Sequence, residues 1–278
     1  MTGTSIASDE AKQDQIELTR RGTELLLKRN YPEARKFIYQ LLAQEETRLL
    51  GYFGIMAATQ LRNLENYDYR FDSEYLVLAE EGRKRALKIY RNANSGGWDL
   101  LVAGGILGVS GFYQAHHGKW LPALWDSQAA ARAMKRAYGR DPHLADALLG
   151  IGFYHYWMSH FTRYFKVLPF LDDRRESGKR EVRLAGELGR MVGPLAEVSL
   201  GFKMRKQPEA RREFEKILEI DPSLTKCWLY LGLITAEEGK DPKEARRLLG
   251  LYLNLENRAP PHWRKRAEEG LRRLGSTK

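Results

Sequence analysis

The sequence predicts an all-α fold made of paired helices, and three observations carry that prediction. Leu and Ala dominate its apolar residues while runs of β-branched residues are scarce, which favours helix over sheet. Ala210, Phe214 and Ile217 recur at the i, i+4, i+7 spacing of one helical face. Prolines interrupt helices, and most of them fall where one helix would end and another begin: Pro32, Pro142, Pro208, Pro222, Pro242, Pro260 and Pro261.

The stretch around Asp221-Pro222 shows how two such helices join. The dipeptide ends the helix that contains the apolar face described above, and Trp228 and Leu231-Gly232 open the next helix. A glycine at this place lets two helix backbones approach closely. This stretch resembles the tetratricopeptide repeat (TPR), a helix-turn-helix unit of about 34 residues. The resemblance lies in the order of its residues: a small residue, a large one, an Asp-Pro turn, an aromatic residue and Leu-Gly.

The resemblance covers most of residues 15–257 and is to a divergent, bacterial type of TPR protein with extended helices in the middle repeats. It implies an α-solenoid, which is a right-handed superhelix of antiparallel helix pairs, ended by a C-terminal capping helix. We predict a flexible N-terminus over 1–14 and a capping helix over 258–275. The repeats between them are predicted at 15–47, 48–94, 97–142, 143–192, 193–222 and 223–257.

The first two repeats differ in regularity. In the second, a helix around Met56 is followed by an aromatic stretch over 63–75, after which helical periodicity resumes over 78–90. We interpret residues 63–75 as an insertion loop. The first repeat is regular, with RNYPEA as its turn and TPR spacings at Gly22, Tyr31, Ala34, Ile38 and Leu41.

The third repeat is predicted to have long helices. Helices over 98–115 and 121–138 flank a turn at His116-His117-Gly118. Asp141-Pro142 ends the pair, and the second helix exceeds that of the standard unit by about two helical turns.

The remaining repeats lead to the cap. The fourth has a helix over 143–157 and another over 174–190, separated by an aperiodic segment over 161–177. The fifth is predicted as two short helices over 194–206 and 209–220, and the sixth spans 223–255. The last helix starts with two prolines and has one apolar stripe, as the open end of a repeat array requires: Trp263, Ala267, Leu271 and Leu274.

Charge and cysteine content restrict the class of protein. The net charge of +10 and the pI near 9.6 suit nucleic acid, anionic lipid or an acidic protein as partner, but the excess is spread over several helices. Cys227 is the single cysteine, so no intrachain disulfide is possible, and we expect it to fill a small core site. The N-terminus has no apolar leader, and the apolar run over 100–113 is too short to span a bilayer, so we expect a cytoplasmic protein.

Residues that could carry chemistry are few. His116 and His117 diverge by about 100° on a helix, and His155 and His160 are five residues apart, a poor spacing for a shared metal. Neither a nucleophile motif nor a nucleotide-binding loop is present in the sequence. We therefore expect no catalytic residues, no metal and no cofactor. An enzyme with an unrecognised site at Tyr154, His155 and Arg163 is the least favoured alternative.

Two other sets of residues have competing interpretations. Aromatic residues crowd 153–170, with Arg163 and Lys166 beside them, and either contact a ligand or membrane or fill the space between long helices. We favour the packing role. Two basic sets are expected on solvated faces of second helices: Arg83, Lys84, Arg85 and Lys88, and Arg132, Lys135 and Arg136.

The TPR resemblance also implies a function, namely binding of a partner segment in the concave groove lined by the first helix of each repeat. Carried over to this sequence, the groove residues are Tyr154, His155, Phe202, Arg205, Lys206, Lys226, Leu229, Leu233 and Glu237. Their mixed apolar and basic character favours an amphipathic or acidic protein or peptide. TPR proteins that bind a C-terminal carboxylate have Asn at the positions occupied here by Phe202 and Leu233. The resemblance therefore disfavours that ligand for this chain. A basic peripheral protein that binds nucleic acid or an anionic membrane, the latter through 161–170, is the alternative; no sequence-specific nucleic-acid contact is expected.

Overall fold

The computed structural model describes residues 3–66, 72–165, 173–191, 208–220, 222, 225–255 and 261–275, and over these residues the protein is all-helical with no strand. This confirms that the fold is all-α. The described helices are α1 (Gly3–Leu27), α2 (Tyr31–Ala43), α3 (Arg48–Asn66), α4 (Asp72–Arg91), α5 (Gly97–His116), α6 (Trp120–Arg140), α7 (Ala147–Phe165), α8 (Arg175–Leu188), α9 (Pro208–Ile220), α10 (Thr225–Glu238), α11 (Pro242–Leu255) and α12 (Pro261–Gly275).

Contacts within the chain define two compact units. One comprises residues 1–26 and 30–193, and the other comprises residues 27–29 and 194–278. In the first unit, helices pack against their neighbours in chain order, most extensively α5 against α6 and α7 against α8. Alternate helices also meet, because α5 contacts both α3 and α7. In the second unit, α10 contacts α9, α11 and α12.

The first unit is built around α5. Its residues from Leu100 to Gly104 are all buried, as are Ile106 and Leu107. A helix that is apolar on every side must be enclosed by other helices, and α3, α4, α6 and α7 enclose this one. No helix in the described part of the chain has both the length and the apolar content needed to cross a lipid bilayer.

Glycines set the distances between several of these helices. A Cβ added at Gly104 would lie 2.7 Å from a side-chain carbon of Met134 on α6, and one added at Gly105 would lie 2.8 Å from the ring of Phe53 on α3. Helices α7 and α8 also approach closely, since a Cβ added at Gly152 or at Gly178 would lie 2.6 Å from the other residue's carbonyl oxygen. The close approach predicted for Gly232 is confirmed in the same way, since a Cβ added there would lie 2.8 Å from a side-chain carbon of Leu249 on α11.

The second unit has its own core between α10, α11 and α12. Leu229, Leu249 and Tyr252 are fully buried in it. The predicted apolar stripe of the last helix faces this core: Ala267 and Leu274 are buried, and Trp263 and Leu271 pack against the same cluster. Cys227 is buried and unoxidised, as expected of a small core residue.

Helix boundaries agree closely with prediction at α5, α6 and α9. The bounds of α5 and α6 lie within two residues of the predicted ones, with the turn between them at His117 and Gly118. Both ends of the predicted insertion loop over 63–75 are helical, since α3 runs to Asn66 and α4 starts at Asp72, and its residues 67–71 lie outside the described residues. Residues 161–165, predicted to be aperiodic, continue α7. The predicted helix over 194–206 lies outside the described residues.

The N-terminal helix also differs from the sequence prediction, because residues 3–14 form part of α1 and not a flexible tail. Lys12 pairs with Asp141 at the end of α6, and this hydrogen bond holds the pKa of the Asp141 carboxyl below its ordinary value. The indole N–H of Trp98 at the start of α5 donates to Gln15 Oε1 at 2.5 Å. Polar contacts therefore attach α1 to the ends of later helices in the unit.

We expect Gly178→Ala to destabilise the first unit. The added methyl would lie 2.6 Å from the carbonyl oxygen of Gly152 and 2.9 Å from the backbone nitrogen of Tyr156, so α7 and α8 must move apart. The expected loss is about 1–3 kcal/mol of unfolding free energy, measured by urea denaturation. The matched control is Gly139→Ala on α6, where no atom lies within 4 Å of the new methyl; it should be neutral or slightly stabilising. Equal effects of the two substitutions would contradict close packing at Gly178.

Candidate partner-binding surfaces

The predicted groove residues of the second unit are mostly covered by α12. Leu229 is fully buried, and Leu233 packs into the same core, next to Gly270. The ammonium group of Lys226 lies 4.6 Å from the ring centroid of Trp263. Since the apolar stripe of α12 needs a partner and α10 offers an apolar side, the capping helix takes the place that a ligand would take. Glu237 is the exposed member of this predicted group.

The predicted residues of the first unit are Tyr154 and His155, and they have different environments. Tyr154 is half-buried, while His155 is buried between α6 and α8. His155 Nδ1 lies 2.7 Å from Glu181 Oε2, and its Nε2 lies 3.2 Å from Lys135 Nζ. Because an ammonium group donates, Nε2 accepts and Nδ1–H donates to the carboxylate, which requires the neutral imidazole. His155 thus links three helices. The remaining predicted groove residues, Phe202, Arg205 and Lys206, lie outside the described residues.

Asp126 on α6 is the centre of a buried polar cluster that the sequence analysis did not find. Its carboxylate is 1% exposed and accepts hydrogen bonds from Arg83 Nε at 2.8 Å, Ser110 Oγ at 2.8 Å and Gln114 Nε2 at 2.6 Å. The hydrogen bond to Asp126 raises the pKa of the Arg83 guanidinium. Arg83 was predicted to be solvated, and this was wrong: a carboxylate buried on the neighbouring helix requires its charge.

A cationic depression lies toward the C-terminal ends of α4 and α6. It has a volume of about 520 Å³ and is lined by Tyr90, Arg91, Arg132, Lys135 and Arg136. Arg136 donates to the carbonyl oxygens of Tyr90 and Asn92 at the C-terminal end of α4, where helix carbonyls lack intrahelical partners. Arg91 and Arg132 are exposed, and neither forms an ion pair or hydrogen bond with a described residue.

The opposite end of α6 exposes large apolar side chains. Leu121 and Trp125 are 71% and 69% exposed, and Trp120 and Leu124 are also exposed. On the neighbouring helix α4, Val77 is 73% exposed. Scattered exposed apolar residues are ordinary, but several on one helix face make this end of α6 a candidate interaction surface. The sequence contains the signal, because Trp120, Leu121, Leu124 and Trp125 fall on one face of a helix, but this face was not distinguished from the core.

Over the described residues, no three His, Cys, Asp or Glu side chains are grouped so that they could hold a metal ion. The buried side chains of Asp126 and His155 are hydrogen-bonded to residues of neighbouring helices. The two clusters at Asp126 and His155 therefore position helices in the described part of the chain.

Comparisons with known proteins do not assign the chain to a family. Neither the scan against known protein families nor the search of curated proteins gives a match. The function must therefore be argued from the geometry.

We expect Asp126→Asn to destabilise the first unit, because it leaves the Arg83 guanidinium without a counter-charge. The expected loss of unfolding free energy is about 2–4 kcal/mol, measured by urea denaturation. The control is Glu81→Gln, which removes an exposed i, i+4 ion pair with Arg85 and should change stability little. If the double variant Arg83→Met/Asp126→Asn were no more stable than Asp126→Asn, unpaired charge would not be the cause of the loss.

Proposed function

We propose that this protein is a non-catalytic adaptor in which TPR-like helix pairs present a groove to a segment of a partner protein. The observation that carries the proposal is the contact of α5 with both α3 and α7, in addition to the pairing of helices in chain order. Such contacts are typical of stacked repeats, where first helices form one layer and second helices form another. A layer of first helices can line a concave binding surface.

Exposed aromatic residues on the first helices support this proposal. Phe112 on α5 and Trp157 on α7 are 38% and 39% exposed. The ring of Phe112 lies 5.0 Å from that of His116, edge to face. Aromatic side chains that are rigid and partly exposed commonly anchor protein partners. Of the groove residues predicted from sequence, Tyr154 in the first unit and Glu237 in the second stay candidates for partner contacts, because neither is fully buried.

The proposed partner is a protein or peptide with acidic or amphipathic character. The net charge of +10 favours association with a negatively charged segment. No cofactor is needed for such a role. A membrane or nucleic-acid partner is the competing class, since it would be attracted by the same charge.

Photocrosslinking in the cells that make the protein tests the proposal. We expect benzoylphenylalanine at position 112 or 157 to give discrete crosslinked products that mass spectrometry identifies as one or a few proteins. Leu188 on α8 is 57% exposed and is the control position, from which the same products should be absent. Crosslinks that form only to lipid or nucleic acid, or that are identical at all three positions, would contradict the proposal.

A further inference from the structure

Two side-chain contacts join α4 and α6 and show that the two helices run in the same direction. Arg83 pairs with Asp126, and Arg136 binds the carbonyl oxygen of Tyr90. Arg83 precedes Tyr90 on α4, and Asp126 precedes Arg136 on α6. The N-terminal ends of α4 and α6 therefore lie together, as do their C-terminal ends.

The apolar residues of the two helices lie at the same level. Val77 precedes Arg83 by six residues, and Trp120 precedes Asp126 by six residues. At 1.5 Å per residue, both lie about 9 Å before the Arg83–Asp126 pair. The two helices thus share one exposed apolar end, formed by Leu76, Val77, Trp120, Leu121, Leu124 and Trp125.

The cationic residues lie at the other end. Arg91 follows Arg83 by eight residues, and Arg132 and Lys135 follow Asp126 by six and nine, which places them about 9–14 Å beyond the pair. Lys88, Arg91 and Arg132 have no ion-pair partner among the described residues. Between the two ends, Glu80 pairs with Lys84, so the middle of α4 adds no unbalanced charge.

We propose that this α4–α6 face binds a partner polypeptide with apolar side chains at one end and acidic side chains at the other. The apolar end offers anchors for Leu or aromatic side chains, and the cationic depression offers partners for carboxylates. The two ends are about 20 Å apart, which corresponds to about four turns of a bound helix. The proposal concerns second helices and does not depend on the groove proposed above.

The arrangement fits a polypeptide better than a bilayer. Helices that lie in a membrane interface carry apolar residues along their full length, with cations beside them. Here the two kinds of residue occupy opposite ends of both helices, and the cations line a depression. A carboxylate on a flexible side chain can enter a depression, whereas a flat bilayer surface contacts its rim.

Selection from a display library of random peptides of about 20 residues, on the immobilised full-length chain at physiological ionic strength, tests the proposal. We expect enriched peptides to combine Leu or aromatic residues in one half with Asp and Glu in the other. Their affinity should fall about tenfold or more with Leu121→Ser/Trp125→Ser and with Arg91→Glu/Arg132→Glu. All four residues are exposed, so these variants should keep the stability of the parent chain.

The control variant is Leu188→Ser/Arg180→Glu, which makes the same chemical changes on the exposed side of α8 and should leave affinity within about twofold. Peptides without acidic enrichment, or unaffected by both α4–α6 variants, would overturn the proposal. If peptide binding is lost instead with Phe112→Ala/Trp157→Ala, the result would support the groove on the first helices and overturn the proposal for the α4–α6 face. Enrichment of no peptide would count against both.

Binding to lipid vesicles distinguishes a membrane from a polypeptide as the partner of this face. Flotation with vesicles of phosphatidylcholine and phosphatidylglycerol should recover little chain at physiological ionic strength. If the chain floats with these vesicles and Leu121→Ser/Trp125→Ser abolishes flotation, the face binds membrane and the polypeptide proposal is overturned.

Discussion

The enclosure of α5 is the constraint on which the first unit depends. This helix can be surrounded only if its neighbours come close, and small residues on both sides make that possible: Gly104 and Gly105 on α5, and Ala130, Ala133 and Ala137 on α6. Since α6 uses its small residues for this contact, Leu121, Trp125 and Arg132 on its other side are exposed. The binding face proposed on α6 is thus a consequence of how its other side packs.

Buried charge gives the same region its alignment. A carboxylate as buried as Asp126 is costly unless it is paired and hydrogen-bonded, and Arg83 reaches it from a different helix pair. Apolar contacts alone permit two helices to slide by a turn, whereas a multiply bonded carboxylate fixes one alignment. The Arg83–Asp126 pair therefore determines that Val77 is level with Trp120 and that Arg91 is near Arg132.

Local patterns predicted much of the fold, and tertiary contacts explain the rest. The bounds of α5 and α6 follow from turn residues such as Gly118 and from the Asp141-Pro142 step, which act locally. The helical parts of 63–75 lack a clear apolar period, so their order depends on packing. Leu229 and Leu233 have the correct spacing for a groove, but spacing cannot show that α12 will cover them. The aligned ends of α4 and α6 could not be predicted either, because residues more than 40 positions apart produce them.

The exposed end of α6 is not explained by folding. Trp120, Leu121 and Trp125 add little to the core of the unit, and each leaves apolar surface in water. Residues chosen for stability and solubility alone would be polar on such a face. The same reasoning applies to Arg91 and Arg132, which repel each other and have no counter-ion among the described residues. An acidic, amphipathic segment would bury the first group and neutralise the second, so one ligand accounts for both features.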